Sequence, residues 1–212
     1  MPDHTGVAEL LGLVAAGRLL AFEHTAAEAH LAPDLRRRVA FAGMAAAELA
    51  GLRKVENRLA AMGTTVADAM GPYLPPLAAY HDRTVPADWW EALTKAYVGD
   101  AASADFVRLA IDRLGFADRR PLAEPGRRPR REEFARTELR AATAADPVLA
   151  HRLSMWARRL AGEGLAQAQA VAQARPALTA LLLDGGLAQL GELTRTLTRA
   201  HYDRMAAVGL QT

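Results

Sequence analysis

Four carboxylates in this chain stand on helix stripes that are otherwise apolar. Glu23 falls on Ala16–Leu19–Glu23–Ala26, and Glu48 on Phe41–Ala45–Glu48–Leu52–Val55–Leu59. Asp100 falls on Leu93–Ala96–Asp100–Ala104–Val107–Ile111, with Asp105 beside it on Val98–Ala101–Asp105–Leu109. A lone carboxylate in a dry interior is costly unless it is paired or bound to a metal. Inward acids on three successive helices therefore predict something positive inside a bundle, unless they are edge residues paired with nearby arginines. Bundles that hold two metal ions draw one acid from each of two helices and Glu-x-x-His from each of the other two, because residues i and i+3 share a face. That spacing is missing here. Glu48 is followed at i+3 by Gly51, and none of the six histidines (His4, His24, His30, His81, His151, His201) has an acid three residues before it.

The elements that must position these acids read as helices throughout. Apolar residues Leu10, Leu11, Val14, Leu19 and Phe22 recur at helical spacing from Val7 to Leu31. Pro33 ends that run, and Asp34 caps a second helix over Leu35–Met62 that Gly63 closes. Thr64–Pro86 contains Pro72, Pro75, Pro76 and Pro86, which predicts a long crossover with at most one short helix. Asp88 caps a third helix that offers Trp89, Trp90, Leu93, Tyr97, Val107 and Ile111 for packing. After an irregular stretch over residues 115–131, a fourth helix spans Arg131–Ala144. Asp146-Pro147, a cap followed by proline at the first helical position, opens a fifth. Gly185-Gly186 separates it from a last helix that ends near Val208. Two helices, a long crossover and two more helices is the connectivity of ferritin-like bundles. The expected fold is therefore an all-α, ferritin-like helical bundle forming one domain over residues 1–212, with two additional C-terminal helices.

Composition narrows the chemistry. Alanine, leucine, arginine and glutamate dominate while aromatics make up 6%, a helix-former's mixture. The absence of cysteine removes disulfides, thiolate metal sites and cysteine nucleophiles. A formal charge of +2 demands no polyanionic partner. No signal-peptide pattern precedes the first helix and no stretch nears 18 uninterrupted apolar residues, so the expected location is cytoplasmic.

Several segments carry a resemblance to a known family. They are Gly17-Arg18-Leu19 with Ala21-Phe22-Glu23, Met44-Ala45-Ala46-Ala47-Glu48, and Tyr80-His81-Asp82-Arg83-Thr84. Lys95-Ala96-Tyr97-Val98-Gly99-Asp100 with Ala104-Asp105-Phe106 belongs with them, as do Trp156-Ala157-Arg158-Arg159-Leu160, Gly162-Glu163 and Gln167-Ala168-Gln169. Over about residues 8–208 the chain resembles the MiaE-like, ferritin-like proteins of actinobacteria. That family is named for its likeness to tRNA hydroxylases, which resemble other non-haem di-iron oxygenases. The resemblance implies two irons per chain, a tRNA substrate and hydroxylation of an unactivated C–H bond. It also implies that Glu23, Glu48 and either Asp100 or Asp105 match metal-ligand positions. The chain departs from the pattern at Gly51, where the family has histidine. It departs again at Pro125-Gly126-Arg127-Arg128-Pro129-Arg130-Arg131, where a second acid-x-x-His would stand and where Arg128 and Arg131 fall on the acid and histidine places. Glu132 and Glu133 are the nearest fourth-helix acids, and only a shifted register turns one of them inward.

Losing two neutral nitrogen donors removes much of the iron affinity a two-metal site needs. The expectation is a degenerate member, with little or no oxygenase activity, no tightly bound cofactor and a binding or regulatory role. Arginine pairs bidentately with carboxylates, so Arg128 or Arg131 is the candidate counter-charge that replaces metal beside Glu23 and Glu48. The alternative is an active oxygenase with an unusual ligand set. Six arginines against Glu124 between residues 119 and 131 read first as a solvated loop and second as an RNA-phosphate contact. Neither a membrane nor DNA is expected as partner, and a homodimer is compatible with the sequence. Trp89, Trp90 and Trp156 read as core anchors, and Arg159 with Glu163 as an intrahelical ion pair.

Overall fold

The structure, a computed structural model, describes residues 4–99, 101, 105–106, 108–109, 129–182 and 187–212. Every regular element among them is helical: α1 (His4–Glu28), α2 (Leu35–Ala61), α3 (Val66–Met70), α4 (Leu74–Arg83), α5 (Trp89–Thr94), α6 (Pro129–Ala145), α7 (Pro147–Ala174), α8 (Pro176–Leu182) and α9 (Leu187–Ala207). The expected all-α bundle is the observed one.

The caps follow sequence chemistry. The Asp34 side chain accepts from the Arg37 N–H at 2.8 Å, and the Asp88 side chain from the Glu91 N–H at 3.0 Å. Asp146 accepts from the Val148 and Leu149 N–H groups, with Pro147 at the position whose missing donor has no intrahelical partner anyway. Gly63 ends α2 at φ 76°, a left-handed conformation that favours glycine.

Three expectations need correction. The crossover holds two helices, α3 and α4, joined by a 3-10 turn over Gly71–Tyr73. Pro72, Pro75 and Pro76 stand at first turns, where they take no hydrogen bond away, so they start helices instead of preventing them. The fifth helix, expected to run on toward Gly185-Gly186, stops at Ala174 because Pro176 turns the chain into the separate helix α8. The fourth helix starts at Pro129 rather than Arg131, for the same first-turn reason.

Helix α1 packs against α2, α3, α4 and α8. A helix over Thr5–Leu31 is long and apolar enough to cross a membrane by length and composition alone. Half of its most apolar window is buried inside the fold, as expected of a core helix. At Gly12 a Cβ would stand 2.2 Å from the Ala69 carbonyl oxygen, so only glycine lets α3 cross α1 this closely.

The interior divides into two apolar clusters. One joins Leu10, Leu11, Val55, Leu59, Tyr73 and Leu178. The other joins Phe41, Trp89, Leu93, Leu139, Leu153 and Met205, with Phe41 meeting the Trp89 ring edge-on at 5.2 Å. Helices run from one cluster to the other: α1 from Leu10 toward Ala29 of the 3-10 turn that follows it, α2 from Phe41 to Val55, and α7 from Leu153 to Val171. Arg18 and Glu48 stand midway along α1 and α2, between the two dry ends, whereas Glu28 and Lys95 lie beside Ala29, Leu93 and Tyr97 of the second cluster.

Candidate functional site: inward ion pairs

On α2 the buried row is Phe41, Ala45, Glu48, Val55 and Leu59, as the spacing predicts. Glu48 is 8% exposed. Arg18 reaches it from α1, donating from Nη1 to Oε2 at 3.3 Å. A Cβ on Gly51 would lie 2.1 Å from that same nitrogen and 2.6 Å from Cζ. The guanidinium thus lies in the space a side chain at position 51 would fill, one helical turn beyond Glu48.

Glu23 is exposed, contrary to the stripe on which it was placed. The row that turns inward along α1 and the 3-10 turn after it is Leu11–Ala15–Arg18–Phe22–Thr25–Ala29, with Leu11, Ala15, Thr25 and Ala29 all buried. Glu23 lies five residues from Arg18, roughly 140° around the helix, and so points elsewhere. The alternation of four- and three-residue steps in that row is written in the sequence and marks Arg18 as the inward charge. The Glu23 stripe matched only over its first two residues.

Asp105 is 4% exposed. Arg204 of α9 hydrogen-bonds its carboxylate, and Arg108 approaches the other oxygen at 2.8 Å. Asp100 lies outside the described residues, as do Arg128 and the side chain of Arg131. The counter-charge observed at Glu48 is Arg18 rather than either of those arginines. Glu132 and Glu133 are exposed, so the fourth helix turns neither acid inward.

A third buried pair was not anticipated. Lys95, 3% exposed, opens a π-helical turn over Lys95–Gly99 that continues α5. Its ammonium donates to Glu28 of α1 at 3.1 Å and to the Thr84 carbonyl at 2.8 Å. Burial raises the Glu28 carboxyl above its usual range even though Lys95 opposes the shift. Beside this pair the His24 and His81 rings stack in parallel, centroids 4.0 Å apart and planes within 5°. Burial, then the Lys95 charge, then His24 push His81 down to about 3. His24 is also lowered, by burial first and Lys95 second, against the pull of Glu23 and Asp82. Lys95 lies two residues after Leu93, and that offset from a strongly apolar stripe was the available signal. The trigger for the π turn is not legible in the sequence.

A ferritin-like bundle raises the question of two irons, and these residues do not fit them. Glu48 is held by a guanidinium, Glu23 faces solvent, and Asp105 is engaged by two arginines. Among the described residues no three His, Asp or Glu side chains gather where they could hold one ion. Among the described residues the acids do not share one interior cation as expected; the cations come from α1, α9 and the π turn separately.

The family model for the ferritin-like domain of actinomycetes matches residues 3–185, most of the chain. The chain belongs to that family. A comparison with curated proteins finds no match.

Of the remaining expectations, Arg159 and Glu163 do not pair within α7. Arg83 of α4 takes Glu163 at 2.5 Å, and Arg159 donates to the Arg83 carbonyl at 2.6 Å. Trp89 and Trp156 are buried, and the Trp156 indole donates to the Glu91 carbonyl at 3.0 Å. Both therefore serve as core anchors.

Proposed function

We propose that this ferritin-like chain is a degenerate relative of the MiaE-like di-iron proteins, with internal ion pairs where a metal centre would stand. Its role is then binding or regulation in the cytoplasm, with little or no oxygenase activity, and tRNA is the partner its resemblance suggests. The observation that carries this reading is the interlock of Arg18, Glu48 and Gly51. The guanidinium fills the space beside Glu48 that a histidine at position 51 would need. A ferric or ferrous ion at Glu48 would have to compete with a covalently tethered cation, and without an imidazole donor one turn away.

Iron quantification on protein purified from iron-replete cells tests the proposal. The expected result is far below one iron per chain. About two irons per chain, with an oxo-bridged absorption band in the near ultraviolet, would instead establish the active di-iron oxygenase with an unusual ligand set.

A further inference from the structure

We propose that the seam between α4 and α1 is an acid-released clasp, held shut by the stacked His24–His81 pair and opened when His81 takes up a proton. This goes beyond the reading of the inward ion pairs and does not depend on whether iron binds.

The geometry leaves no place for a second proton. His81 is 8% exposed and its Nδ1 is buried without a hydrogen-bond partner. One face of the ring lies flat on His24 at 4.0 Å, and Tyr80 meets it edge-on at 5.2 Å. The groups surrounding it come from four elements. His24, Glu28 and Glu23 belong to α1, Lys95 to the π turn, and Tyr80, Asp82 and Arg83 to α4 itself. From α7, Glu163 and Arg159 engage Arg83. The inward acid among them, Glu28, is already bonded to Lys95. Glu23 and Asp82 face solvent. An imidazolium at position 81 would therefore sit beside a buried ammonium and against a second imidazole, without a free anion to answer it. In the open seam the same ring is hydrated and takes a proton normally.

Helix α4 is built to part from α1 without leaving the protein. Arg83 to Glu163, Arg159 to the Arg83 carbonyl and Gln167 to the Pro76 carbonyl tie it to α7 along its outer side. The bond from Lys95 to the Thr84 carbonyl closes the inner end of the seam, and Thr84 is fully buried there.

The ring binds a proton near 6.5 when free and near 3 in the closed seam. Lowering the pH from about 7.5 to about 5.0 then favours opening by roughly thirtyfold, because the open form alone takes up the proton. The chain has no cysteine, so a single Thr84→Cys reports opening through its rate of thiol labelling, referenced to the denatured chain at each pH. The labelling ratio is expected to rise roughly thirtyfold over that interval. It should rise much less when His81→Phe is added, which leaves only the contribution of the lowered His24, and much less for a cysteine at Ala135 in the other apolar cluster. An unchanged ratio, an equal rise with His81→Phe, or an equal rise at position 135 overturns the clasp. Histidine-ring NMR on the unsubstituted chain gives the same decision should Thr84→Cys fail to fold. The clasp requires a second, slowly exchanging His81 signal that grows as the pH falls. One His81 signal titrating smoothly near 6.5, or one unchanged down to about pH 4.5, overturns it.

Discussion

Helix α1 carries both an inward cation and an inward anion, ten residues apart and each partly buried, and the protein treats them differently. Arg18 meets Glu48 of α2 over a residue with no side chain. Glu28 meets Lys95 of the π turn under a backbone carbonyl and beside two stacked rings. The first pair is a steric interlock: the guanidinium needs Gly51, and Gly51 in a helix interior is tolerable because something else fills its place. The second is a hydrogen-bonded network in which the Thr84 carbonyl shares the ammonium. The difference teaches that inward carboxylates on homologous-looking stripes can be neutralised by unrelated devices, and that each device leaves its own experimental signature.

Removing the cation from either pair gives the largest effects. Arg18→Ala and Lys95→Met should each destabilise the chain by about 3 kcal/mol, since taking one partner from a buried pair leaves charge in a poor solvent. Urea unfolding at about pH 8 measures both. The two should then diverge as the pH falls. Glu28 is already raised by burial, so its native form binds a proton at higher pH than the unfolded chain does. With Lys95 gone, protonation relieves the stranded carboxylate, and the Lys95→Met penalty should shrink between about pH 8 and pH 5. A penalty that stays constant, or grows, would show that Lys95 acts through packing or the Thr84 bond instead.

Gly51 sharpens the comparison with a smaller effect whose sign is the test. Glycine to alanine inside a helix normally stabilises by about 1 kcal/mol. Here the new Cβ would displace the Arg18 guanidinium from Glu48, so Gly51→Ala should be destabilising. In an Arg18→Ala background the obstacle is absent, and the same substitution should stabilise by about 1 kcal/mol. Failure of that sign reversal would mean that Arg18 finds an equally good position when position 51 is filled.

The α2 face was legible because six residues hold one phase over about five turns, five of them buried. The Glu23 stripe was not, because alanine is equally common on both faces of α1. Four residues spaced 3, 4 and 3 could be drawn through it in more than one phase. Extending the row to six positions, Leu11 through Ala29, would have chosen Arg18. The proline-rich crossover was misread for a different reason. Proline forbids a helix interior but favours a first turn, and residues 72, 75 and 76 occupy such turns. The clasp lay beyond sequence reading altogether: His24 and His81 are far apart in the chain, and only the packing of α4 on α1 stacks them.

The smallest expected effect belongs to Glu23, and it separates resemblance from geometry most directly. By resemblance it matches a metal-ligand position; in the structure it is exposed on the side of α1 away from Arg18 and Glu48. Surface substitutions away from special contacts generally change stability by no more than about 0.5 kcal/mol, so Glu23→Gln should lie within that range. Whatever trace of iron the chain carries should be unchanged as well. Glu48→Gln is the matched control, because it alters an equally conservative carboxylate that is buried and bonded to Arg18. If Glu23→Gln lowered bound iron while Glu48→Gln did not, α1 would have to present Glu23 inward in a metal-bound form. The interlock at Gly51 would then describe only one of two states of the bundle.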